Sequence, residues 1–270
     1  MISKLYEKTL YTIPVDFILT PIYEYDISKA NISVLLQKGV INTTQYNEFY
    51  NMNREERQIK IGLMQRNDPN IIKVLEDGFK EARKAFVVSN NIQDDEIVSI
   101  KKDSLFITKP IGVTQFGHIN FTLRHVYSMM AKINKLECYY TLDPITQIHD
   151  IDIKGIKDEV LKRHESCYLA LLCDLFCYVL EGKIEDAIRY MKKFVIDYDN
   201  LQFNTIETIG FYREFNQTSL YRVSSVNSVF YIDDVTNLSN CVLDIEYNRQ
   251  INRELIKLLT GMYISLRRHP

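Results

Sequence analysis

At 270 residues, 46% apolar and 25% charged, the chain can bury one large core or two small ones, which excludes a peptide scaffold. Its net charge of −2 provides no global field to steer nucleic acid or an anionic membrane, so either partner would have to be held by a local patch. Five cysteines (Cys138, Cys167, Cys173, Cys177 and Cys241) without paired metal spacing, and no charged-then-apolar leader, point to a reducing cytoplasm, and no apolar run approaches the ~20 residues of a membrane span.

Along the chain, residues 17–27 read as a buried strand and 28–40 as a helix carrying Ile32, Val34, Leu35 and Leu36 and ending near Gly39. A second helix is expected over 43–52. Helical periodicity then runs from Asn53 to about Asn90 through Ile59, Leu63, Ile72, Leu75, Phe79, Ala82 and Phe86, with Pro69 forcing a break. Residues 97–107 form two β-rich halves around a polar centre, the pattern of a hairpin. Further strands are expected at 119–124, 136–141 and 148–153, then helices at 156–181 and 183–197. Short β-type runs at 209–212, 219–223, 228–232 and 242–245 precede a closing helix at 249–267. The fold class is therefore α+β, with residues 1–155 as one region that includes a helical insert at about 43–92, and 156–270 as a mixed, mainly helical C-terminal region.

The chemistry is carried by two acids. Asp26 stands where the first strand gives way to a helix, and Asp103 sits in the polar centre of the hairpin, 77 positions later. Paired carboxylates at the ends of neighbouring strands are what two-metal phosphoryl transfer requires, since hard Mg²⁺ is held by few carboxylates together with substrate phosphates.

The order strand-Asp-helix, helical insert, hairpin-Asp resembles the palm and fingers of template-directed polymerases over residues 17–110. Asp26-x-Ser28-x-x-x-Ile32-x-Val34-Leu35 is similar to motif A of family A DNA polymerases and single-subunit phage RNA polymerases. Asp103-Ser104-Leu105-Phe106 after Ile97-Val98-Ser99-Ile100 is similar to their motif C.

The resemblance implies an antiparallel palm sheet, Mg²⁺ or Mn²⁺ held by Asp26 and Asp103 as catalytic residues, and transfer of a nucleotide to a primer 3′-hydroxyl. Arg54, Arg57 and Lys60, with Arg66, would contact the incoming nucleoside triphosphate. The family's Arg-x-x-x-Lys is Arg57-x-x-Lys60 here, its motif A glutamate aligns with Asn31 and its motif C histidine with Lys102. Lys101 and Lys102, read as strand residues, alternate faces, so one of the two enters the site. Nucleic acid, a nucleoside triphosphate and a larger replication or transcription complex are the implied partners, with no membrane. The 18 Tyr without Trp, beside abundant Ile, Asn and Lys, are the usage of an AT-rich coding genome. With the phage-like motifs this implies a viral or mobile-element protein in the host-cell cytoplasm.

Each feature also has a plain structural reading. Asp26 is an ordinary helix N-cap type and Asp103 an ordinary turn type. The cations of 54–66 alternate with Glu55 and Glu56 as on a solvated face. Cys173 and Cys177 share a helix with Leu172, Phe176 and Val179, as core thiols do, and Asp150 and Asp152 alternate with isoleucines as on an edge strand that would add a third carboxylate only if it met the pair. A degenerate palm or an unrelated α+β subunit that binds nucleic acid or an assembly partner without catalysis is the rival to the polymerase reading, and a two-metal nuclease is the third.

Overall fold

A computed structural model describes residues 2–133, 136–143, 145–146, 149–154, 165–199, 220–223, 228–231 and 260–267. Numbered along the chain, the strands are β1 (Leu10–Thr12), β2 (Phe17–Ile18), β3 (Ile22–Ile27), β4 (Ile97–Lys101), β5 (Ser104–Ile107), β6 (Gln115–Phe116), β7 (Ile119–Tyr127), β8 (Met129–Ile133), β9 (Leu136–Leu142) and β10 (His149–Lys154). The helices between β3 and β4 are α1 (Ala30–Gln37), α2 (Thr43–Asn51), α3 (Arg54–Asn67) and α4 (Asn70–Ser89). The protein is a mixed α+β structure divided into two compact units, residues 1–15 with 20–128 and residues 16–19 with 129–270. The division after Ser128 differs from the 155/156 division drawn from the sequence, because β8, β9 and β10 share a core with the helices that follow them.

In the first unit six strands lie in the order β1-β4-β5-β3-β7-β6, each antiparallel to its neighbour. The alternation of β3 turns Tyr23, Tyr25 and Ile27 to the face that carries the helical insert, where the Tyr25 and Phe86 rings meet with centroids 5.5 Å apart. From β5, Leu105 and Ile107 join the same core.

The insert forms where its caps and apolar repeat require. Asn42 and Gln45 make a reciprocal capping box at α2, and the Asn53 side chain accepts the Glu56 N–H at 2.9 Å to open α3. Pro69 stands at the N-cap of α4, a place that needs no N–H from it. Along α4 the buried positions Ile71, Leu75, Gly78, Phe79, Ala82, Arg83, Phe86 and Val87 recur with helical period and face the sheet and α1.

The expected single strand over 17–27 is two strands in two different sheets. Pro21 has no N–H to give a ladder, and the chain breaks at Thr20-Pro21. Phe17 and Ile18 pair with Ala131 and Met130 of β8, whereas Ile22–Ile27 pair with β5 and β7.

The second unit holds an antiparallel sheet in the order β10-β9-β8-β2. Met129, Ala131, Tyr140 and Ile151 from the sheet pack with Leu172, Phe176 and Ile188 from helices Glu165–Leu180 and Ile184–Asp199. An antiparallel strand pair, Leu220–Val223 with Ser228–Tyr231, and a helix over 260–267 are also described. The strands expected at 209–212 and 242–245 lie outside the described residues.

Helix α1 approaches α4 closely at Gly78, where an added Cβ would fall 2.2 Å from Val34 Cγ1. Val34 is fully buried and, being β-branched in a helix, has almost no alternative rotamer. Gly78→Ala is therefore expected to cost about 1–3 kcal/mol through overpacking, despite alanine's better helix propensity. Adding Val34→Ala should recover part of that loss. Urea denaturation of the single and double variants measures both.

Candidate functional site

The site is built by one register. In the β3–β5 ladder Asp26 stands opposite Ser104, and the next rung is the Ile27 N–H donating to the Asp103 carbonyl at 3.2 Å. Two acids distant in sequence thus sit side by side on adjacent β-elements, Asp26 near the end of a strand and Asp103 in the two-residue turn between β4 and β5.

Glu24 and Asp26 lie on the opposite face of β3 from Tyr25 and Ile27. The Asp26 side chain, 26% exposed, has both oxygens engaged: Oδ1 accepts from Ser104 Oγ at 3.1 Å, and Oδ2 lies 3.5 Å from Arg124 Nε. Arg124 comes from an irregularity in the β3–β7 ladder, where Glu24 pairs with His125 but Tyr25 pairs with Leu123, leaving Arg124 as the extra residue of a bulge. Bulges of this kind re-aim a side chain. The deeper Glu24 is buried and accepts the Tyr127 hydroxyl at 2.8 Å.

Asp26 is not a helix cap. The N-cap of α1 is Lys29, in the left-handed conformation at φ 51° and without any side-chain capping bond. The turn after β3 is secured by other groups: Ser33 Oγ donates to the Ser28 carbonyl at 2.8 Å, and Thr122 Oγ1 donates to the Asp26 carbonyl at 3.2 Å.

Lys102 is not a strand residue, as the alternation with Lys101 implied. It occupies the first position of the hairpin turn at φ 55°, where glycine or asparagine is usual and a side chain costs about 1–2 kcal/mol. Its N–H donates to the Thr9 carbonyl at 2.8 Å, and its ammonium lies 5.2 Å from the centre of the Phe79 ring.

Burial, and after it the neighbouring Asp26 carboxylate, push Asp103 above the usual carboxylate range, against the pull of its own backbone N–H, Lys102 and Arg83. The lowering pull of the Lys102 and Arg83 charges is thus outweighed. Burial first, and the Asp26 charge second, hinder Asp103 from ionising, an environment that a bound cation would relieve.

The remaining candidate residues are placed as follows. Asn31 is half-buried in the first turn of α1, and Arg54 and Lys60 are exposed on α3. Arg57 is turned to structural use: its guanidinium donates to the carbonyls of Phe49 at 3.4 Å and Met52 at 3.2 Å, capping the end of α2. Lys29, which the sequence did not single out, joins it there with Nζ 3.4 Å from the Tyr50 carbonyl and 4.6 Å from the Tyr50 ring centre.

Asp150 and Asp152 lie on β10 of the second unit, where Asp152 pairs with Lys154. Cys173 and Cys177 are half-buried, and burial pushes the Cys173 thiol up to about 11, away from thiolate chemistry. Among the described residues no group of three or more His, Cys, Asp or Glu side chains is arranged to hold a metal, and no helix is long and apolar enough to cross a membrane.

A model of the family described as Bacteriophage PBS1 gene 130 protein matches residues 1–260. No curated protein matches the chain.

The Asp103 environment has a pH signature. A carboxyl whose folded value lies above its ordinary one, near 3.8, adds stability that is fully present below that ordinary value and is lost as pH rises through the folded one. Asp103→Asn is therefore expected to raise the urea midpoint relative to wild type at pH 7, tempered by the nearby Arg83 and Lys102 charges. The gain should vanish by about pH 3, below the ordinary carboxylate range.

Proposed function

The chain belongs to the family of the bacteriophage PBS1 gene 130 protein, a phage protein family, and from that premise we propose that its first unit is a polymerase-like palm performing metal-dependent nucleotidyl transfer to a primer 3′-hydroxyl. The observation that carries this reading is the adjacency of Asp26 and Asp103, fixed by the β3–β5 register. Supporting it is the order of elements: strand with Asp26, helices over one face, then hairpin with Asp103, in a sheet whose central strands run β4-β5-β3-β7.

The two carboxylates fit Mg²⁺ or Mn²⁺, hard ions that take few protein oxygens when substrate phosphates supply the rest. Bound there, a pair of such ions would supply charge to the attacking and leaving oxygens of an in-line displacement. The chain's own part is orientation. Ser104 holds one oxygen of Asp26, the turn holds Asp103 in a partly desolvated place, and the half-exposed Arg124 stands beside Asp26 with a fork suited to phosphate oxygens. Arg54 and Lys60, exposed on α3, offer further charge to a triphosphate; Lys102 precedes Asp103 in its turn and Asn31 lies in the first turn of α1. Arg57, bound to the end of α2, contributes by fixing α3.

One observation favours the second reading, a non-catalytic subunit of a replication or transcription complex. The Arg124 guanidinium already places a positive charge on Asp26, which is the service a metal would otherwise perform.

The two readings separate in one set of measurements. Under the first, Mg²⁺ or Mn²⁺ raises the melting temperature of the wild type, by the equivalent of about 2.7 kcal/mol at a hundred times Kd, and neither Asp26→Asn nor Asp103→Asn responds. Primer extension falls ~10²–10³-fold in both variants, the scale of losing one charge-stabilising group. Under the second, no extension occurs under any condition, and nucleic-acid or partner binding survives both substitutions.

A further inference from the structure

Arg83 occupies a core-facing place on α4, between Phe79 and Phe86, and is only 2% exposed. A guanidinium so deeply buried is costly unless every donor direction is used. Its Nε donates to the Tyr6 carbonyl at 3.0 Å and its Nη1 to the Lys102 carbonyl. One side chain thereby ties the helical turn Leu5–Glu7 and the β4–β5 hairpin turn to the same helix.

The effect falls on Asp103. Lys102, in a left-handed conformation it would not choose, is held at both ends, its N–H by the Thr9 carbonyl and its C=O by Arg83. Just beyond it, the Asp103 carbonyl is held by the Ile27 N–H. Asp103 therefore lies between two fixed carbonyls, and its side chain has little freedom in where it emerges. The residues flanking Asp103 show no glycine or asparagine that would make this turn on its own. Strain of this kind persists only where the surroundings impose it.

We propose that Arg83 is the positioning residue of the acidic pair: by gripping the Lys102 carbonyl from inside the core, it fixes the turn so that the Asp103 carboxyl is presented to Asp26. Its purpose rests on the cation-binding reading above, but the placement does not, and the two are tested apart. A lysine cannot replace it, since a single ammonium lacks the planar fork that reaches both carbonyls.

The test is a double-substitution cycle read on the Asp103 carboxyl by NMR titration in the full chain without metal. With Arg83 present, Asp26→Asn should lower the Asp103 midpoint, because a like charge has been removed. In Arg83→Lys, which keeps the positive charge, the same Asp26→Asn change should move the midpoint far less. An equal shift in both backgrounds overturns the proposal, even if Arg83→Lys lowers the melting temperature, since loss of stability alone would mean that Arg83 is only structural. Should Arg83→Lys not fold, Arg83→Met removes the buried charge as well, and the same comparison within that background decides. A wild type that shows the coupling yet binds no Mn²⁺ refutes the cation reading and leaves Arg83 as the residue that sets the pair.

Discussion

The antiparallel pairing of β3 with β5 is the constraint from which the rest follows. Its register is not free, because Tyr25, Ile27, Leu105 and Ile107 must all meet the helical insert. A slip of one residue would turn them outward. The same register sends Asp26 to the other face and sets the Asp103 turn next to it. The apolar core thus decides the position of two charges that contribute nothing to it.

Several locally unfavourable features gather at this point. Lys102 is left-handed, Asp103 is partly desolvated beside a like charge, Arg83 is a buried cation, and Arg124 is carried on a bulge. Elsewhere in the same unit many local rules are obeyed: capping asparagines open α2 and α3, and, Arg83 apart, an apolar repeat seats α4. Departures gathered around one site are expected where function imposes them. The ion pair between Arg124 and Asp26 has two chemical meanings, a guanidinium waiting beside a phosphate site or a permanent substitute for a metal. In both, the acids are the centre of the arrangement.

Much of this was legible in the sequence. The hairpin at 97–107 showed as two β-rich runs around a polar pair, and the insert showed through apolar period and Pro69. The adjacency of the acids followed from that order of elements. What escaped had physical reasons. The run 17–27 looks continuous because Pro21 is a single residue in it, yet one missing N–H sends its two ends to different sheets. Strand β8, Met-Met-Ala-Lys-Ile, has little β-branching to mark it. Lys102 was read by alternation, whereas the turn that Arg83 and Thr9 impose on it is a tertiary effect. Arg83 carried one weak signal, an arginine four residues after Phe79 on the apolar stripe of α4. Arg57 and Lys29 were unreadable as caps because the carbonyls they serve belong to another helix.

Whether the two carboxyls form a cation site is decided by anomalous diffraction from crystals of the wild type grown with Mn²⁺. An anomalous peak bridging the carboxyls of Asp26 and Asp103 is expected, with the Arg124 guanidinium moved off Asp26. Saturating Mn²⁺ with no peak there, and Arg124 still seated on Asp26, would contradict the cation site.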